Sequence, residues 1–448
     1  MRLGIANRSG GVLAATAFVA ALGLALARVT SLSRLGGLRL GAADWALVDF
    51  RSNVYYPVRA FVEDANPYDR IPYLARYPDA PHAFLPFFPS TLLIHLPFGF
   101  MPLTVAQLCY VALAIVLVVV LARLALRANG DSSWTATITT AAVILLSRPG
   151  QWGLLLGQVA LQATLASWTA LRYATRSPWV SGLALGLATF KPTYGLPLAA
   201  LMLARGDLKA VGVGALAGGT LSLIPAAMLA ERSGGIRFYL QSQVGAYYSW
   251  TGPSDSAPAW ALYRIDLVSL AGRVAGRPLG HAAELIISAV VLMVAALLVR
   301  RLRRRGTTSD YQPLSDAIIC MAVLLCVHHL DYDLLLLVFP LLSLMYRRVP
   351  GLLEGRRVRG VTLGLFAVLG LNYVSTQSVI DRFAMHPAIA WMLVSINSVV
   401  LLLIFTIYGL TALRLPSARV APALDDPSQA DNPRGSAQSE LVTARDGG

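Results

Sequence analysis

The chain has 448 residues, 56% of them hydrophobic and 13% charged, about half the charged share of an ordinary soluble protein. That balance excludes a soluble domain carrying a single anchor and points to one membrane domain that crosses the bilayer many times. The net charge is +14. Because the basic residues fall in short loops between apolar runs, this excess reads as membrane topology and not as affinity for nucleic acid.

Taken in chain order, the apolar runs predict about twelve spans, an all-α polytopic bundle. They are 12–28, 104–123, 135–148, 154–172, 178–190, 193–204, 211–230, 283–300, 315–327, 332–346, 360–378 and 389–412. The first is expected as an uncleaved helix, although Ala25-Leu26-Ala27 resembles a signal-peptidase site. Lys191-Pro192 separates two short runs, which could be half-helices lining a cavity. The small-residue pairs Gly153/Gly157 and Gly182/Gly186 suit close helix packing. Cys109, Cys320 and Cys326 lie inside apolar runs and read as small core residues. Residues 1–412 form the catalytic membrane domain in this reading, and 413–448 a disordered cytoplasmic tail.

Placing the N-terminus inside puts every basic cluster on the cytoplasmic side. These are Arg123 and Arg127, Arg172 and Arg176, Arg205 and Lys209, the run 300–305, Arg347 and Arg348, and Arg356, Arg357 and Arg359. The long loops 29–103 and 231–282 then face outward, together with the corners at Arg148, Lys191 and 328–333.

The outward segments hold the candidate chemistry. Asp49 follows an apolar stretch, where a carboxylate is costly unless paired or used. It is a general base for an incoming hydroxyl, or else a helix cap or ion-pair partner of Arg51 or Arg59. Asp44 and Asp69 are weaker candidates, and residues 51–64 could form a helix along the membrane surface, against which Pro57 argues. Lys191 ends an apolar helix and either holds a phosphate or snorkels. Gln158 breaks an apolar run with an amide, as a ligand or as helix glue. His328, His329, Asp331 and Asp333 could bind a divalent metal, a phosphate or sugar hydroxyls.

Several stretches resemble glycosyltransferase family 87, membrane mannosyltransferases that use a polyprenyl-phosphate sugar. They are Asp49-Phe50 with Tyr55-Tyr56, the Asn66-Pro67-Tyr68-Asp69 turn, and Leu85-Pro86-Phe87-Phe88-Pro89 with Leu96-Pro97. Next in order come Leu154-Leu155-Leu156-Gly157-Gln158-Val159, the run from Gly182 to Lys191-Pro192, and His329-Leu330-Asp331-Tyr332-Asp333. The family often has a Pro-Pro step where this chain has Leu85-Pro86-Phe87-Phe88-Pro89, and an Asn where it has Ala160.

The resemblance implies a GT-C type helical bundle in the plasma membrane, with its active site at the extracytoplasmic face. It implies Asp49 as the base of an inverting transfer of mannose. The donor is a polyprenyl-phosphate sugar, and the acceptor a membrane glycolipid or cell-wall glycan. Lys191, His328, His329 and Arg148 are then expected on the donor phosphate. Arg59, Tyr55, Tyr56, Gln158 and Asp331 are expected on the substrates. No cofactor is expected, and nothing in the scheme demands a metal. The competing readings are a transporter or flippase of a lipid-linked sugar and a non-catalytic partner in an envelope complex.

Overall fold

The computed structural model describes residues 2–35, 46–251, 262–305, 311–352, 355–383 and 385–415. Asp44 and the expected tail from 416 onward lie outside the described residues. Among the described residues the fold is all-helical, with one isolated antiparallel bridge, Arg264 to Leu330, and no strand.

The principal helices are α1 (Arg2–Leu35), α2 (Tyr56–Val62), α3 (Leu103–Ala128), α4 (Trp134–Leu146), α5 (Arg148–Leu156), α6 (Ala160–Tyr173), α7 (Pro178–Ala188) and α8 (Pro192–Arg205). They continue with α9 (Leu208–Arg232), α10 (Ile236–Thr251), α11 (Leu267–Ala275), α12 (His281–Arg305), α13 (Gln312–Cys326), α14 (Val338–Met345), α15 (Arg356–Leu371) and α16 (Pro387–Arg414). Five of them, α1, α3, α9, α12 and α16, are long and apolar enough to cross a membrane. The chain is a membrane protein. Each predicted span coincides with helix, but the others are shorter, so twelve full crossings do not follow.

Two predicted spans are broken. The run 154–172 divides at Gly157, whose φ of +69° caps α5 and lets α6 start afresh at Ala160. The run 332–346 begins as a 3-10 segment, Asp331–Leu337, before α14 takes over. Its entry is fixed by the Asp333 carboxylate, which accepts the Leu330 N–H at 3.1 Å.

Helix α13 sits at the centre. Every residue from Leu314 to Cys326 is buried, as expected of a helix apolar on all faces. At one end Arg205 pairs with Asp316 at 2.5 Å and with Asp207, which gives its buried charge two partners. Helices α7 and α9 approach closely through Gly186 and Gly218: a Cβ on Gly186 would lie 2.8 Å from the Gly218 nitrogen. Gly182/Gly186 thus acts as predicted. Of Gly153/Gly157 only the second does: a Cβ on Gly153 meets ordinary contacts, whereas Gly157 both caps α5 and packs tightly on Phe50. Cys320 and Cys326 are buried, whereas Cys109 is exposed on α3, contrary to its reading as a core residue.

The predicted surface helix of 51–64 is instead part of the interior. Residues 48–62 are one helical run, widened to a π-turn over Arg51–Tyr55, in which the Tyr56 N–H reaches back to the Arg51 carbonyl. The widening comes just before Pro57, whose ring would crowd a regular helical turn. Phe50, Val54 and Val58 are fully buried, and Phe50 packs on Tyr110 and Phe98 at centroid distances of 4.4 and 5.5 Å.

Candidate active site

Asp49 is reached from two sides by amides. Gln158 donates from Nε2 to Oδ2 in a short contact, and Asn53, one helical turn along, donates from Nδ2 to Oδ1 at 3.3 Å. The positions of these residues are interlocked. Leu47 takes φ +56°, and its N–H donates to the Leu155 carbonyl at 2.7 Å. Gly157 lies so close to the helix carrying Asp49 that a Cβ there would be 2.7 Å from the Phe50 Cβ. The broken helix therefore exists to aim Gln158 at Asp49.

The carboxylate has capacity left. Two donors occupy about half of its acceptor sites, and its side chain is 16% exposed. His82 stands at 3.7 Å from Oδ1 through Nε2. Its Nδ1 lies 2.9 Å from the Ala83 carbonyl, which can only accept, so Nδ1 carries the proton and Nε2 is the nitrogen that titrates beside Asp49. Burial opposes charge on this ring, but Asp49 and the Ala83 carbonyl outweigh it and raise its pKa above the ordinary value.

Asp333 is the opposite case. Its Oδ1 accepts from Lys191 Nζ at 2.5 Å and from the Tyr194 hydroxyl at 3.0 Å. Its Oδ2 accepts the Leu330 N–H and faces His329 Nδ1 at 2.9 Å. Four donors saturate a carboxylate, so Asp333 is an organising hub with no place for another proton. The other nitrogen of His329 faces the Thr193 carbonyl at 3.1 Å. Lys191 and His329 are thus both held by Asp333.

Tyr332 connects the two halves. Its ring lies 5.3 Å from Lys191 Nζ, its hydroxyl feels the charges of both Asp333 and Asp49, and it packs in one cluster with Val48, Leu156 and Ala160. Asp49, Gln158, Lys191, His329 and Asp333 thus gather at one end of the bundle.

Arg148 and Asp331 border this group. Both are buried, with Nε 3.4 Å from Oδ2, and the guanidinium lies 4.3 Å over the Trp152 ring. Among the described residues Arg148 Nε and Nη2 and Asp331 Oδ1 have no hydrogen-bond partner, so the pair retains unused polar capacity. His328 lies in the field of the Arg264–Asp266 pair as well as of His329 and Asp333. Of the other side chains of the 328–333 corner, His329 and Asp333 bond to each other, while Asp331 pairs with Arg148.

Arg59, Tyr55 and Tyr56 stand in a neighbouring cluster. Tyr55 donates to the Met101 carbonyl at 3.1 Å, and Arg59 to Glu63 and the Gly99 carbonyl. The Tyr77 hydroxyl and then Arg59 hold the Glu63 pKa below its usual value. Tyr56 packs edge-on against Tyr55.

Sequence reasoning missed Asn53, His82, Tyr194 and Tyr332. Asn53 and Tyr194 follow Asp49 and Lys191 by one helical turn, a signal available once those segments are known to be helical. Nothing near His82 in the sequence links it to Asp49.

A model of glycosyltransferase family 87 matches residues 87–329, more than half of the chain. The match takes in the Pro-rich loop from Phe87 onward, Gln158, Lys191 and His329; Asp49 precedes it and Asp333 follows it. No curated protein and no solved structure matches the chain. With an all-helical membrane fold and a match over more than half its length, the chain belongs to glycosyltransferase family 87.

Proposed function

We propose that this glycosyltransferase moves a sugar, mannose on the family resemblance, from a polyprenyl phosphate to a membrane glycolipid or cell-wall glycan. The transfer takes place at the extracytoplasmic face of the plasma membrane, on a GT-C type bundle. The acceptor hydroxyl oxygen attacks the anomeric carbon, Asp49 takes the hydroxyl proton, and the carbon–oxygen bond to the phosphate breaks. The phosphate leaves on its lipid. A single displacement inverts the anomeric centre.

The observation that carries this reading is the contrast between two carboxylates. Asp49 is oriented by Gln158 and Asn53 with acceptor sites to spare, whereas Asp333 is fully engaged. A base needs the first condition. The Lys191 ammonium suits a departing phosphate, with His329 beside it as a hydrogen-bonding group, and neither needs reorganisation because Asp333 already holds both. Arg148, with unused donors, is the further candidate on that side.

The test is sugar transfer by the purified protein from polyprenyl-phosphate mannose to candidate glycolipids, wild type against Asp49→Asn. Loss of a general base predicts a fall of roughly 100-fold or more. Transfer by Asp49→Asn at near the wild-type rate would remove Asp49 from the mechanism.

A further inference from the structure

A second polar feature lies at the other end of the bundle. Helix α6 starts beside Gln158 and runs about 20 Å to Arg172. There a cleft of about 230 Å³ opens, lined by Arg127, Arg172 and Arg176 and walled by Leu124, Trp168 and Phe339. Trp168 and Phe339 are stacked at 3.6 Å, and the indole N–H donates to the Leu336 carbonyl at 3.1 Å, so the apolar wall is rigid.

Arg127 ends α3, while Arg172 and Arg176 come from the end of α6 and the turn after it. Among the described residues none of the three forms an ion pair within 4.0 Å, while Arg205 nearby has two. The field of Asp316 reaches Arg172, but that carboxylate is already spent on Arg205. Basic side chains at helix ends commonly only snorkel to water. Snorkelling does not bring guanidinium groups from separate segments to one cleft, nor give that cleft an aromatic wall.

We propose that this cleft binds the phosphate headgroup of an anionic membrane phospholipid, its acyl chains leaving past half-buried Leu124 and exposed Tyr173. Charge complementarity selects an anion, and the apolar wall selects a lipid over a soluble phosphate. The site is separate from the transfer chemistry.

The experiment uses the full chain in detergent and titrates phosphatidylglycerol, phosphatidylcholine and glycerol phosphate by native mass spectrometry. Wild type is compared with the triple variant Arg127→Gln/Arg172→Gln/Arg176→Gln. Phosphatidylglycerol binding is expected to weaken by tenfold or more in the variant, with phosphatidylcholine and glycerol phosphate binding no better than background to either protein. Equal phosphatidylglycerol affinity in wild type and variant would overturn the proposal. So would equal binding of phosphatidylcholine, or glycerol phosphate binding as tightly as the lipid. Should the triple variant fold poorly, salt decides on the wild type alone. Phosphatidylglycerol binding must weaken between 0.05 and about 0.5 M salt, and salt-independent binding would refute a charge-read site.

Discussion

Gly157→Ala tests whether the broken helix sets the site. Gly157 has φ +69°, and an added Cβ would lie 2.7 Å from Phe50 Cβ and 3.1 Å from Leu47 Cδ2. The left-handed conformation costs a non-glycine residue about 1–2 kcal/mol. Forcing a methyl group against a packed neighbour adds about 1–3 kcal/mol. The sum of about 2–5 kcal/mol is relieved only by moving the turn that carries Gln158 or the helix that carries Asp49. Either movement breaks their contact, and a displacement near 1 Å can cost about 100-fold in rate. The assay pairs thermal unfolding in detergent with sugar transfer, and uses Gly212→Ala as control, since a Cβ there meets nothing within 4 Å. A Gly157→Ala protein with wild-type melting and wild-type transfer would refute the argument that this backbone position aims Gln158.

Three further outcomes are expected. Asp333→Asn leaves Lys191 without its counter-charge and should destabilise the fold by about 3–5 kcal/mol; the double variant Asp333→Asn/Lys191→Met should recover part of that loss in thermal unfolding. Gly186→Val drives side-chain atoms into the Gly218 backbone and should lower the melting temperature strongly, by an overpacking cost of about 3 kcal/mol or more, whereas Gly212→Val should not. The raised pKa of His82 gives a pH signature: below it the imidazolium pairs with Asp49, and as pH rises through it the pair is lost and Asp49 becomes free to act. Transfer should therefore climb as pH rises above 6.5, the ring's ordinary value, and His82→Gln should flatten that limb. The same pair stabilises the fold at low pH and ceases to do so as pH rises through the raised value.

Helix positions were legible because apolar runs of this length have few alternatives in a membrane. One helix break was legible, at Lys191-Pro192; those at Gly157 and Leu330 were not. Nothing in the composition of 154–172 distinguishes a glycine tolerated inside a helix from one at φ +69°, since only packing against Phe50 makes the difference. The same holds for 332–346, where Asp333 is drawn back to Leu330 by a hydrogen bond, and the Leu run starts as a tighter helix. Residues 51–64 looked like a surface helix because the aromatics of that loop suit an interface. Phe50, at the head of the run, instead packs on Phe98 and Tyr110, which are distant in sequence. Asp49, Gln158, Lys191 and His329 could be picked out as polar groups interrupting apolar stretches. Their pairing could not: Lys191 and Asp333 are separated by 142 residues, and whether the lysine snorkels or pairs depends on that partner alone.

The helix interruptions at Gly157, Lys191 and Leu330 have an electrostatic corollary. Helices α6 and α8 and the 3-10 segment all begin at the end of the bundle where Asp49 and Asp333 lie. An α-helix start carries about half a positive elementary charge from its aligned peptide dipoles. Each interruption also sets a helix end beside the new start: α5 closes at Leu156, α7 at Ala188 and α13 at Cys326. Positive starts and negative ends are paired here, so the charge an anion meets is set by side chains, and the loss of one of them is felt in full.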